Sequence, residues 1–220
     1  MKITLSVEQY NIDSFVRNVM SKYHFDDSSR GDIINIYSQM KDIIKPYAIY
    51  RINQKATGVK VIDDSQAAIV AMTLGEAVDE LQEEYTAKGE LDKAYIIDCV
   101  SNELLLNMYE EFNRLYGKYH RRYIKKYVFV GNEVPLTKSV DILSKINEDA
   151  EIEANEYGVL KPTKSVIFYA LLSDNPNENC ERICAGCNNI ECSNRESLMV
   201  NGGVYNGKEI YYGSGCRNNQ

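Results

Sequence analysis

Four cysteines near the C-terminal end, Cys180, Cys184, Cys187 and Cys192, are separated by three, two and four residues. Spacings this short let four thiolates meet at one point with little chain entropy lost in closing the loops. Ala185 and Gly186 leave room for a tight turn between the second and third of them. Soft sulfur donors select zinc or an iron–sulfur cluster over harder cations. Tetrahedral zinc would staple the segment structurally, whereas a [4Fe–4S] cluster would add one-electron chemistry. Ligand type alone leaves both open. Cys216 is a fifth or replacement ligand or a free thiol, and Cys99 falls in an apolar helical stretch, where a cysteine packs as a small hydrophobe.

The compartment bears on those sulfurs. Residues 1–16 carry a polar side chain every two or three positions, so they offer no apolar core for a signal peptide. No stretch approaches a membrane span. The expectation is a cytoplasmic protein, where disulfides are disfavoured and clustered cysteines signify metal. A formal net charge of −7 argues against a sequence-independent hold on nucleic acid, which requires clustered Lys and Arg. The local exception is His120, Arg121, Arg122, Lys125 and Lys126. It reads as a solvated helix end followed by a strand, although the paired arginines suit a phosphate. His24 and His120 form no metal pair or triad by spacing, and the glycines of the tail lack the Lys and Ser/Thr of a nucleotide loop.

These groups need a scaffold, and 220 residues with 44% hydrophobic content suffice for one sizeable core plus a small module. The division predicted is 1–172 for an α+β domain and 173–220 for a cysteine-rich metal-binding tail. Asp26 to Ser29 offer capping side chains for a helix carrying Ile33, Ile34, Tyr37, Met40 and Ile44, which Pro46 ends. Ala48 to Ile52 and Val59 to Ile62 read as strands joined by a turn at Gly58, and Gln66 to Met72 as a buried strand. Thr73 to Glu76 fits a capping box before a helix with Ala77, Val78, Leu81 and Tyr85 inward. A longer helix opens near Asp92 and runs through Leu115. Tyr127 to Val130 is a strand, Thr137 to Ile146 a helix and Ser165 to Leu172 the last core strand. Helices and strands interleave without strict alternation, which favours α+β.

Four segments, in order, resemble the activation domain of vitamin B12-dependent methionine synthase and its small free-standing relatives. They are Pro46 to Arg51, Ala67 to Gly75, Ala94 to Asp98, and Gly158 to Val166. The resemblance implies a curved, mainly antiparallel sheet flanked by helices. It also implies a role in restoring oxidised cob(II)alamin, with an electron reducing cobalt and S-adenosylmethionine supplying a methyl group. By that resemblance Lys126 stands where the family places an arginine, Tyr127 follows it, Val130 and Gly131 take the Gly-Tyr positions, and Glu133 takes an acidic position of the small relatives. Leu106 stands where the family has a glutamate. Lysine is a point charge and does not reproduce the two-pronged grip of arginine on a carboxylate.

In that company the cysteine site reads as a [4Fe–4S] cluster able to deliver a low-potential electron. The implied partner is a corrinoid-binding protein, such as a methionine synthase lacking its own activation domain, with cobalamin bound to that partner. The first three cysteines also share the spacing of radical adenosylmethionine enzymes, but those build a barrel downstream of the motif. A binding module with structural zinc and no catalytic role is the other reading.

Overall fold

The run Ala67–Thr73 is apolar except for its last residue, and all seven positions are buried. A strand covered on both faces requires that pattern. In the computed structural model, which describes residues 1–7, 11–52, 58–146, 151–180 and 183, it is the middle strand of a five-stranded antiparallel sheet. In chain order the elements are β1 (Lys2–Thr4), α1 (Ile12–Lys22), α2 (Arg30–Ile43), β2 (Tyr47–Ile52), α3 (Lys60–Asp63), β3 (Ala67–Thr73), α4 (Ala77–Ala87), α5 (Leu91–His120), β4 (Tyr123–Phe129), α6 (Ser139–Ile146), β5 (Glu153–Ala154), β6 (Leu160–Lys161) and β7 (Ser165–Ser173). The sheet order is β1-β2-β3-β7-β4, and β5 and β6 form a separate hairpin. The α+β expectation with an antiparallel sheet holds.

Alternation along β3 separates two cores. Ala68, Val70 and Met72 face α1, α2, α4 and α5, while Ala67, Ile69 and Ala71 face α3 and α6. The long helix α5 lies across the first face, burying Ile97, Leu104, Met108, Phe112 and Tyr116. Its rise of 1.5 Å per residue gives a rod of about 45 Å, long enough to cross the whole sheet. Its last turn closes with Arg121 in the left-handed region at φ 52°, and β4 then returns antiparallel to β7.

Several expectations change. Val59 to Ile62 is not a strand but lies at the short helix α3, with Ile62 buried against the second core. Its β-branched residues are consistent with either state, and burial beside β3 decides between them. The capping box does not form: α4 starts at Ala77 without a side-chain cap, and Thr73 ends β3 with its hydroxyl accepting from the Gly75 N–H at 3.0 Å. Residues 1–22, read only as a short segment, supply β1 and α1. Asp26 does cap the 3-10 turn Asp27–Ser29 that leads into α2, accepting from the N–H groups of Ser28 and Ser29, and hydrogen bonds from the Ser28 hydroxyl first and then the Ser29 N–H hold its carboxyl below the usual range.

Candidate functional site at the free edge of the fourth strand

Strand β4 is an edge of the sheet, and its register against β7 slips between Ile124 and Lys126. That bulge adds one residue and reverses the alternation. As a result Ile124 and Tyr127, three apart, both enter the core under α5. Tyr127 packs edge-on to Tyr109 and tilted against Phe168. Burial drives its phenol above the usual range, the charge of Glu110 adds to this, and a hydrogen bond with Asn113 opposes it. Lys126, the neighbouring residue, points to the opposite face and is half-exposed. It makes no hydrogen bond or ion pair among the described residues.

Glu133 serves the turn that follows β4. Its Oε2 accepts from the Phe129 N–H at 2.9 Å, while the Val134 N–H bonds to the Phe129 carbonyl at 3.2 Å. Gly131, at φ 98°, completes the reversal. The three candidate side chains therefore lie in three settings: Tyr127 in the core, Glu133 in a turn, and Lys126 open on the far face. Leu106 is half-buried on α5, one turn before Tyr109.

The first cysteine is seated on the same strand. Cys180 donates its N–H to the Ile124 carbonyl at 2.7 Å and receives Asn113 Nδ2 on its own carbonyl at 2.7 Å. An edge strand leaves such carbonyls open, and here the chain leaving β7 occupies one. Cys180 is fully buried, and Ile183 packs against the same core. Cys184, Cys187, Cys192 and Cys216 lie outside the described residues. Cys180 is disulfide-bonded in this structure, so it would have to be reduced to ligate a metal. Among the described residues no three His, Cys, Asp or Glu converge on a metal-sized point. Four thiolates nonetheless form the donor set that zinc and [4Fe–4S] both accept.

Cys99 is a buried free thiol, pushed up to about 11 chiefly by burial, and so is a poor nucleophile or ligand at neutral pH. At the end of α5, His120 Nε2 lies 2.8 Å from the Tyr50 hydroxyl, and Arg122 pairs with Asp174 at 2.8 Å. Burial, then the Arg122 charge, hold that imidazole below its usual range. Two members of the basic run, His120 and Arg122, are thus tied into the fold.

The four segments singled out in the sequence converge at the opposite end of the sheet. The Lys45 N–H bonds to the Leu74 carbonyl and the Leu74 N–H to the Lys164 carbonyl, at 3.0 and 3.1 Å. Lys164, nearly buried, extends its ammonium to Asp98 at 2.6 Å and to Asn102 at 2.9 Å on α5. The Ser165 hydroxyl bonds to that of Thr73 at 2.8 Å. A cis bond joins Lys161 to Pro162 just before. No family model matches the sequence, and no curated protein matches it. Among solved structures, one described as the MetH reactivation domain bound to AdoHcy superposes with a TM-score of 0.51 at 10% identity, over 78% of this chain and 77% of that one.

This chain has the reactivation-domain fold. Within that fold the residues missed by sequence reasoning are Asn113, Lys164 and Glu103. Glu103 is a buried carboxylate that accepts from Asn18 at 2.7 Å and Tyr23 at 3.0 Å and pairs with Lys22 at 2.8 Å. For Asn113 and Glu103 the available signal was a polar residue on the inward stripe of a long apolar helix, a position that demands a partner, whereas Lys164 lies in the turn before β7. Among the described residues no helix is long and apolar enough to cross a membrane.

Proposed function

We propose that this protein is an accessory reactivation factor for a corrinoid-dependent methyltransferase of the methionine synthase kind. The observation that carries the reading is the shared reactivation-domain fold, which covers more than three quarters of both chains. In this reading Cys180, Cys184, Cys187 and Cys192 hold a [4Fe–4S] cluster that supplies one low-potential electron for the cobalt of a partner's cob(II)alamin. The reading is supported by the seat of Cys180 on the Ile124 carbonyl and Asn113, which fixes the first ligand to the domain rather than to a free tail. The neighbour's structure contains AdoHcy. By analogy S-adenosylmethionine is the methyl source, with Lys126 as the partner of its carboxylate, because Lys126 alone of the three candidates has no hydrogen bond or ion pair among the described residues.

Protein prepared without oxygen is expected to show an iron-dependent visible absorbance, and the Cys184→Ser, Cys187→Ser double variant to lose both colour and corrinoid recovery. A colourless protein with one equivalent of zinc defeats the redox half. Calorimetric titration with S-adenosylmethionine that gives neither heat nor a thermal shift removes the methyl-donor half. The second reading, a corrinoid-protein-binding module pinned by zinc, is favoured by the complete burial of Cys180, which suits a structural staple. Metal analysis of the pure protein separates the two.

A further inference from the structure

Cys180 carries two claims on one sulfur. The cysteine motif makes it a metal ligand, yet in this structure it is disulfide-bonded. The candidates for its partner follow by elimination. The chain has six cysteines, and Cys99 is a free thiol on α5, so the second sulfur belongs to Cys184, Cys187, Cys192 or Cys216. Whichever of these it is, three cysteines of that segment are left outside the bond. Structural zinc and [4Fe–4S] sites take four thiolates. The disulfide and a four-thiolate site therefore exclude one another by count, whatever the pairing.

The seat of Cys180 does not depend on the state of its sulfur. Its N–H is held by the Ile124 carbonyl of β4 and its carbonyl by Asn113 of α5, each at 2.7 Å, and neither bond involves Sγ. The same anchored residue thus presents its sulfur to the segment in either state. Cys180 is also fully buried. Exchange depends on which sulfur can be reached, so a dissolved oxidant or reductant acts first on the partner sulfur.

We propose that Cys180 is the resolving half of a thiol–disulfide switch that dismantles the metal site under oxidation and restores it under reduction. This inference rests on the metal-site reading and is independent of the corrinoid role. The oxidant is a low-molecular-weight disulfide such as oxidised glutathione. The partner thiolate attacks it, the glutathione S–S bond breaks and one glutathione thiolate leaves. The Cys180 thiolate then attacks the partner sulfur and expels the second. Two electrons pass from the protein to glutathione, and the two cysteine protons end on the two glutathione thiols. A thiol reductant reverses both steps by attacking the partner sulfur, with Cys180 as the leaving group.

The full chain, reduced by a dithiol and freed of it without oxygen, is divided, and one half is treated with oxidised glutathione. Peptide mass mapping should find Cys180 linked to one of the other four cysteines in the treated half alone, and glutathione trapped early on that partner but not on Cys180. Zinc, titrated against a chromophoric chelator, should bind the treated half at least about a hundredfold more weakly, since the site is short of a thiolate. Zinc added before glutathione should slow formation of the disulfide, and dithiothreitol should restore full binding. Circular dichroism should be the same for both halves, and a treated half that unfolds overturns the independence of the Cys180 seat from its sulfur. A Cys180 that stays a thiol, glutathione found on Cys180, or equal zinc binding by the two halves overturns the switch and leaves the metal-site reading in place. A reduced half that holds neither zinc nor iron overturns the metal-site reading and the switch with it.

Discussion

Adding one methyl group at Gly158 tests how the β5–β6 hairpin is fixed to the domain. Gly158 has φ 83°, and a Cβ placed there would lie 2.1 Å from the Leu136 carbonyl oxygen and 2.6 Å from its carbon. Both atoms belong to the main chain, so no side-chain rotation relieves the overlap, and the hairpin and the Leu136 turn must separate. A non-glycine residue in the left-handed region costs about 1–2 kcal/mol, and overpacking against rigid atoms adds about 1–3 kcal/mol. Gly158→Ala should therefore lose roughly 2–5 kcal/mol, a large share of the 5–15 kcal/mol typical of a domain. Gly58 is the matched control, with φ 78° and nothing among the described residues within 4 Å of the added Cβ. Gly58→Ala should show only the backbone part, about 1–2 kcal/mol. The assay is urea unfolding followed by far-ultraviolet circular dichroism. Equal losses in the two variants would refute the argument, because the steric part would then be absent.

Asn113→Leu leaves the buried Cys180 carbonyl without its donor, so stability should fall by about 1–3 kcal/mol and exchange of the Cys180 amide should accelerate. Unchanged melting and exchange would mean that Asn113 anchors nothing. Cys99, with its thiol pushed up to about 11, should resist alkylation at pH 8 in the folded protein and react on unfolding, as read by peptide mass mapping. Equal labelling in both states would contradict its burial. Because His120 is held below its ordinary value of 6.5, the unfolded chain takes up a proton first as pH falls. Stability present above that value is then lost between 6.5 and the lower folded value. His120→Gln should flatten this slope between pH 7 and 5.5 in urea titrations, and an unchanged slope would exclude His120 as its source.

The strands were legible where burial imposes a pattern. Ala67–Thr73 and Ser165–Ser173 read as apolar runs because helices cover both of their faces, and α5 read as a helix because its apolar stripe repeats over many turns. Local chemistry misled at Thr73, whose hydroxyl is claimed by Gly75 and Ser165 rather than by a helix start. It also misled at Val59 to Ile62, where a short β-branched run has no periodicity of its own. At the candidate site the bulge at β4 was invisible, since a single inserted residue leaves no mark in composition. That one residue sends Tyr127 into the core and Lys126 outward. The pairing of Asn113 with Cys180 spans 67 positions and no local signal announces it.

The two functional halves of the proposal both lie along β4. Cys180 is fastened at Ile124, near the start of β4, whereas Glu133 closes on Phe129 at its end. Five residues of extended chain separate these points by about 17 Å. Lys126, the proposed carboxylate partner, lies two residues beyond Ile124 on the other face of β4, so the two sites adjoin along one strand without sharing a side chain. Each end also has its own fastening: Lys164 with Asp98 and Asn102 at one, Asn113 with Cys180 at the other. Loss of the cysteine site should therefore leave the other end intact. For that reason failure of the redox half does not carry the methyl-donor half with it, and each stands or falls on its own measurement.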